Sequence, residues 1–168
     1  MTWKTITPKE LTDNPFRLIG DDWTLITAGK LTKWNTMTAA WGGLGVLWSR
    51  PVSFIFVRPT RHTFQFLEAE SWYTLSFFDE EHRAALDHCG KVSGRDHDKA
   101  AETGLEPVEI DHQAVTFRQA RLVILSRKLY AQDINPAQFV DRSLERHYPN
   151  IDYHRLYVGE IEKILLRA

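Results

Sequence analysis

The sequence predicts a mainly β domain, an antiparallel barrel with peripheral helices, on three observations. About seven stretches are rich in β-branched and aromatic residues, from Trp23–Ala28 to Leu156–Leu166. They do not alternate regularly with helical stretches. The span Trp23–Val57 holds three of them, with no room for the helical crossover a parallel sheet requires.

Taken in order, Thr7-Pro8-Lys9-Glu10 reads as an N-cap, a proline at the first helical position and an acidic first turn. That short helix should stop by Asn14, because a residue before proline is pushed out of the α region. Trp23–Ala28 is a strand and Gly29-Lys30 a turn. Trp34–Trp41 is the second strand, with Trp34, Thr36, Thr38 and Ala40 on one face and Asn35, Met37, Ala39 and Trp41 on the other. Gly42, Gly43 and Gly45 should break it. Pro51 opens the apolar run Val52–Arg58, expected to be buried on both faces. Thr60 or Thr63 can cap a helix reaching about Ala69, and Trp72–Phe78 is the clearest strand. Asp79-Glu80-Glu81 starts a helix that Gly90 stops; a second, Asp96–Thr103, closes at Gly104. Leu105–Phe117 holds one or two short strands, Ala120–Gln132 a long one, Asn135–Asn150 a polar, helical insert, and Leu156–Leu166 closes the sheet.

At 168 residues the chain reads as one domain spanning 1–168, long enough for a substantial core. Its net charge of −1 argues against a nucleic-acid or anionic-membrane partner, either of which needs a basic patch. Six Trp and nine Phe suit a packed β core or a site for a flat ligand. The single cysteine, Cys89, rules out an internal disulfide framework and fits a reducing compartment. The N-terminal stretch lacks the apolar run of a signal peptide, and no window approaches a membrane span. The expectation is a soluble, cytoplasmic protein.

Chemistry concentrates in one hairpin. Arg58, Arg61 and Thr63 meet at a strand-to-helix junction, where guanidinium forks and helix N–H groups can seat a phosphate. Asn35, Thr36 and Thr38 offer short hydrogen-bonding groups beside Trp41; the alternative is the outward face of an edge strand. Gly43-Leu44-Gly45 lacks a third glycine and a following helix, so it is a turn and not a dinucleotide fingerprint. His82, His88 and Cys89 do not match structural zinc spacing and read as helix-surface residues; no metal is expected. No catalytic side-chain constellation is evident, so a bound cofactor would carry any chemistry.

Four segments in order resemble the flavin reductase-like family, and more narrowly its flavoredoxin-type branch. They are Asn35-Thr36-Met37-Thr38-Ala39-Ala40-Trp41, Arg58-Pro59-Thr60-Arg61-His62-Thr63, Cys89–Asp96 with Asp98-Lys99, and His154–Ile161. The resemblance implies an FMN-binding split barrel, homodimeric, with flavin sites at the subunit interface and NAD(P)H as electron donor. It implies that Asn35, Thr36, Met37, Thr38, Ala39 and Trp41 lie along the flavin ring. It places Arg58, Arg61 and Thr63 on the phosphate, with Ser93, Gly94 and Lys99 completing the site. Two other readings stand beside this oxidoreductase: an FMN electron carrier reduced by a protein partner, and a split-barrel module binding no flavin.

Overall fold

A computed structural model describes residues 2–168. The strands are β1 (Trp3–Ile6), β2 (Thr24–Lys30), β3 (Lys33–Ala39), β4 (Gly42–Leu47), β5 (Arg50–Val57), β6 (Trp72–Phe77), β7 (Pro107–Ile110), β8 (Ala114–Phe117), β9 (Leu122–Asp133) and β10 (Arg155–Arg167). The helices are α1 (Pro15–Gly20), α2 (Thr63–Ala69), α3 (Arg83–Lys91) and α4 (Lys99–Thr103). Eight strands form one antiparallel sheet in the order β3-β2-β6-β9-β10-β5-β4, with β1 added to β10; β7 and β8 form a separate hairpin.

Only Ala40 and Trp41 separate β3 from β4, yet the two strands lie at opposite ends of the sheet. The sheet therefore curls toward closure and leaves a seam at that short link. β10 pairs with β9 along most of its length, with β5 through Arg155–Glu160 and with β1 through Ile164–Arg167. Register shifts at Val158/Gly159 and Ile161/Lys163 supply the bend this requires. At Gly159 a β-carbon would overlap the Tyr73 ring and hydroxyl. That hydroxyl lies 2.7 Å from Ser53 Oγ, which is 2.8 Å from Ser126 Oγ, so the buried polar atoms satisfy one another.

Strand alternation divides the apolar residues between two layers. Ile26, Ile55, Tyr73, Leu75, Ile124, Tyr157 and Ile164 fill the barrel. Leu25, Val123 and Leu125, pointing the other way, pack with Leu86 and Cys89 of α3 and Phe117 of β8. Burial on both faces is found in β2 and in the first half of β9, whereas in β5, where the sequence predicts it, Phe54 and Phe56 are only half-buried.

Several boundaries differ from the sequence expectation. Gly42, Gly43 and Gly45 do not break the sheet: they lie in β4, paired with β5, and the Phe54 ring covers Gly43 and Gly45. The turn falls at Trp48-Ser49, both at positive φ, the geometry of a two-residue hairpin. β2 runs through Gly29 to Lys30, since Gly29 at φ +117° lets the backbone of Lys33 and Trp34 approach. Pro8–Glu10 is one 3-10 turn with a capping box, and β1 precedes it. Asn14 opens a helix instead of ending one, its Oδ1 accepting the Phe16 N–H at 3.0 Å. Neither Thr60 nor Thr63 caps α2, whose N-cap residue is His62. α3 runs one residue past Gly90, and the Asn135–Asn150 insert holds two 3-10 segments, Pro136–Gln138 and Arg142–His147. Gly104 closes α4 in the left-handed conformation, as expected. Among the described residues no helix is long and apolar enough to cross a membrane.

Candidate functional site

β3 is an end strand, paired on one side with β2 and on the other with no strand. Lys99, the first residue of α4, covers part of that free edge. Its buried ammonium donates to the Thr36 and Cys89 carbonyls at 2.8 Å each, leaving one of its three N–H bonds for a ligand. Two adjoining clefts, sharing Met37 and Arg61, open along the strand.

The first cleft, about 230 Å³, is lined by Met37 through Trp41, with Phe56, Arg58, Arg61 and His154. Five consecutive residues of an extended segment reach it, so the cleft meets β3 along its edge and not along one face. Trp41, about half exposed, is held at its ring by His147 and His154, with centroids at 5.6 and 5.3 Å. His154 is buried, and its Nδ1 lies 2.9 Å from the Tyr148 hydroxyl. Burial, with the nearby Arg58 charge adding to it, lowers the His154 pKa to about 4, so the ring is neutral at pH 7.

The second cleft, about 130 Å³, is a polar seat. Arg61, Lys91, Arg95 and Lys99 line it with Thr60, Thr63 and Ser93, and no carboxylate does. Lys91 is paired at 2.6 Å with Asp87 outside the seat; Arg61 and Arg95 have no ion-pair partner among the described residues. Burial and, after it, mutual repulsion both disfavour the charged forms in the seat. Burial and then Arg58 lower the Arg61 pKa. Burial brings Lys99 down to about 8, with Arg61 acting in the same direction. His62 is lowered by burial and then by Arg95 and Lys99. A bound anion would relieve all three, which is what an anion seat requires.

The expected site residues divide between these clefts. Met37, Thr38, Ala39, Trp41, Arg58 and Arg61 border the first; Asn35, Met37, Arg61, Thr63, Ser93 and Lys99 border the second. Thr36 borders neither, its buried hydroxyl lying 2.8 Å from that of Thr27. The Thr38 hydroxyl donates to the Leu86 carbonyl. Asn35 is turned inward: its Nδ2 donates to Thr63 Oγ1 at 2.8 Å, tying β3 to the start of α2. Gly94 packs on that amide so closely that a β-carbon would overlap Asn35 Oδ1, so glycine is required there.

Arg58 is placed differently from the phosphate clamp expected of it. It borders the first cleft, not the polar seat, and Asp152 neutralises it. Its Nη1 donates to both Asp152 oxygens at 2.8 Å, and its Nη2 to the His147 carbonyl at 2.8 Å. Sequence reasoning did not single out Arg95, Phe56 or His154, though Arg95 and His154 lie within segments quoted for the resemblance. Cys89 is fully buried, and burial pushes its thiol up to about 11, so it is inert as a nucleophile.

No curated protein matches the chain. Among solved structures, an FMN-binding domain of a flavin reductases-like enzyme from Shewanella baltica superposes with a TM-score of 0.70 at 15% identity, over 98% of this chain and 77% of that one. Flavoredoxin of Desulfovibrio vulgaris gives 0.68 at 19% identity, over 96% and 76%. The NADH:FAD oxidoreductase of Streptomyces globisporus, in complex with NAD and FAD fragments, gives 0.64 at 19% identity, over 90% and 79%. These likenesses establish the antiparallel, seamed barrel as the fold of flavin reductase-like proteins. The flavin reductase like domain matches residues 16–168, nearly the whole chain, and the chain therefore belongs to the flavin reductase-like family.

Proposed function

We propose that the chain binds FMN and acts as an NAD(P)H-dependent oxidoreductase of the flavin reductase-like type. One observation carries this reading: an acid-free seat of cations and hydroxyls opens, at Met37 and Arg61, into a cleft walled by Trp41 and Phe56. A flat ring bearing a phosphate on a flexible chain fits that sequence of environments.

Arg61, Arg95 and Lys99 would hold the phosphate, with the Thr60 and Ser93 hydroxyls able to donate to it. Thr63 Oγ1 already accepts from Asn35, so its own hydrogen remains available to the same anion. The edge of β3 from Met37 to Ala39 would face the polar rim of the ring with backbone groups that no strand occupies. When bound, FMN supplies reversible electron storage and hydride acceptance, so no titrating side chain of the protein is required for that step. His154 stays neutral beside the cleft, its Nδ1 engaged with the Tyr148 hydroxyl. Arg58, neutralised by Asp152, adds no net charge there.

Two further parts of the reading concern partners. A homodimer is supported by apolar residues left exposed at the end of the sheet, Val46 and Trp48, and by Trp41, which borders a cleft open on one side. Light scattering giving a monomer mass would remove it. The second functional reading, an FMN electron carrier reduced by a protein partner, is favoured by the similarity to flavoredoxin.

The deciding experiment is an absorbance spectrum before and after adding FMN and desalting. Retained bands at roughly 370 and 450 nm establish the cofactor. Bleaching by NADH or NADPH supports the oxidoreductase, and retention without bleaching supports the carrier. A spectrum with the tryptophan band alone overturns flavin binding and leaves a non-flavin binding module.

A further inference from the structure

On the far side of the loop that supplies Ser93 and Arg95, two imidazoles converge on one carboxylate. His88 Nε2 of α3 lies 2.7 Å from Glu102 Oε2 of α4. His97 Nδ1, from the loop between the helices, lies 3.1 Å from both Glu102 oxygens. The three donor groups all lie within 4.8 Å of one another. The other histidine–carboxylate contacts, His82 with Glu81 and His112 with Glu109, are single pairs.

We propose that His88, His97 and Glu102 form a binding site for one divalent transition ion of the zinc class. Two imidazole nitrogens and a carboxylate oxygen are the donors that such ions select, whereas calcium and magnesium take all-oxygen shells. A tetrahedral ion with bonds of about 2.0–2.1 Å needs its ligand atoms about 3.3–3.4 Å apart. The His97–Glu102 separation of 3.1 Å is close to that edge length, the His88–Glu102 separation of 2.7 Å is shorter, and the two nitrogens lie within 4.8 Å, so rotations of these exposed side chains can bring the three atoms to it. Three protein ligands leave the fourth position to water. The rings give up their hydrogen bonds to Glu102 in the process, each neutral imidazole moving its hydrogen to the other ring nitrogen. Side-chain exposures of 35%, 43% and 37% for His88, His97 and Glu102 leave the site open to ions from solution.

The ligands come from the last turns of α3, the connecting loop and α4, so a bound ion staples these three pieces together. Ser93, Gly94 and Arg95 lie inside the stapled loop, and Lys99 follows it directly. The site stands on these three residues whatever the clefts bind, and its test is independent of flavin.

The test uses untagged full-length protein treated with chelator and titrated with Co²⁺, followed by visible d–d absorption, with Zn²⁺ added as competitor. One Co²⁺ per chain, displaced by Zn²⁺ at micromolar concentrations, is expected. Zn²⁺ should also raise the melting temperature of the wild type but not that of His97→Ala. His97→Ala and Glu102→Gln should each weaken binding by about tenfold or more. His112→Ala, in an isolated pair, should leave it unchanged. Far-UV circular dichroism confirms that the variants fold. Absence of saturable binding, or equal binding by wild type and His97→Ala, overturns the site.

Discussion

Two of the places where arginines gather in a concavity behave differently. One is the polar seat beside β3. The other is a groove of about 550 Å³ in which Arg17, Arg83 and Arg121 meet Asp13, Asp22, Asp79 and Glu80. In the groove Arg83 and Arg121 are engaged, while the exposed Arg17 only approaches Asp22 at 3.9 Å. Arg121 pairs with Asp13 at 2.9 Å and with Asp22 at 3.2 Å. Arg83 donates to the Asp21 and Asp22 carbonyls and stacks on Trp23 at 3.6 Å. Beside β3, Arg61 and Arg95 have no such partners, and burial leaves Arg61 and Lys99 easier to deprotonate than usual. Counting arginines does not distinguish the two; the absence of carboxylates from the lining of the seat does. The groove is a structural brace, and the seat holds positive potential for a ligand.

The sharpest way to break this contrast is Arg61→Ala. It should weaken FMN binding by about 1.5–3 kcal/mol, the contribution of a charge-assisted hydrogen bond, and riboflavin binding far less. Equal losses in fluorescence titrations would mean that the phosphate does not lie in the seat.

A smaller effect should follow from pH. Lys99 has its pKa lowered from 10.5 to about 8, so its charge is present below pH 8 and lost as pH rises through that value. The phosphate of FMN is already dianionic above about pH 6. FMN affinity should therefore fall by about tenfold between pH 7 and 10, with riboflavin flat over the same range. Because the folded state binds this proton less tightly than the unfolded chain, the Lys99 contribution to stability should rise between about pH 8 and 10.5, opposed above about pH 9 by Cys89, whose thiol is shifted the other way. A flat FMN profile would remove Lys99 from the seat.

The smallest change is expected in the groove. Arg121→Ala should cost about 1 kcal/mol of stability or less, measured by thermal melting, and leave FMN affinity unchanged. A large loss of FMN binding there would erase the distinction between the two regions.

Much of the frame was legible because local chemistry and tertiary role agree. Trp72–Phe77 is rich in aromatic and apolar residues, Leu122–Asp133 opens on the apolar run Leu122–Leu125, and both are central strands. β4 was not legible, because three glycines read as breakers; its pairing comes from β5, and its side-chain cover from Phe54. β1 escaped notice because its partner, at Ile164–Arg167, is far away along the chain. Within the site, Arg61 and Thr63 are legible from the residues themselves and Ser93 and Lys99 only through the family resemblance, and all four line the polar seat. Arg58 could not be separated from Arg61 on sequence grounds, because its neutralising Asp152 is 94 residues distant. Asn35 was rightly marked as a used amide, but its partner is Thr63 of the protein itself.

β10 joins the sheet's two halves, β3-β2-β6-β9 on one side and β5-β4 on the other, and it is the last strand in chain order. During vectorial synthesis the β4–β5 hairpin can set Phe56 near Trp41 early, but β5 gains its tie to the β9 side of the sheet, and Arg58 its partner Asp152, only once the end of the chain leaves the ribosome. Domains generally fold as units, so the proposed flavin loading would be a late event. A nascent chain stalled before Arg155 should carry most of the wall-forming residues and still retain no ligand.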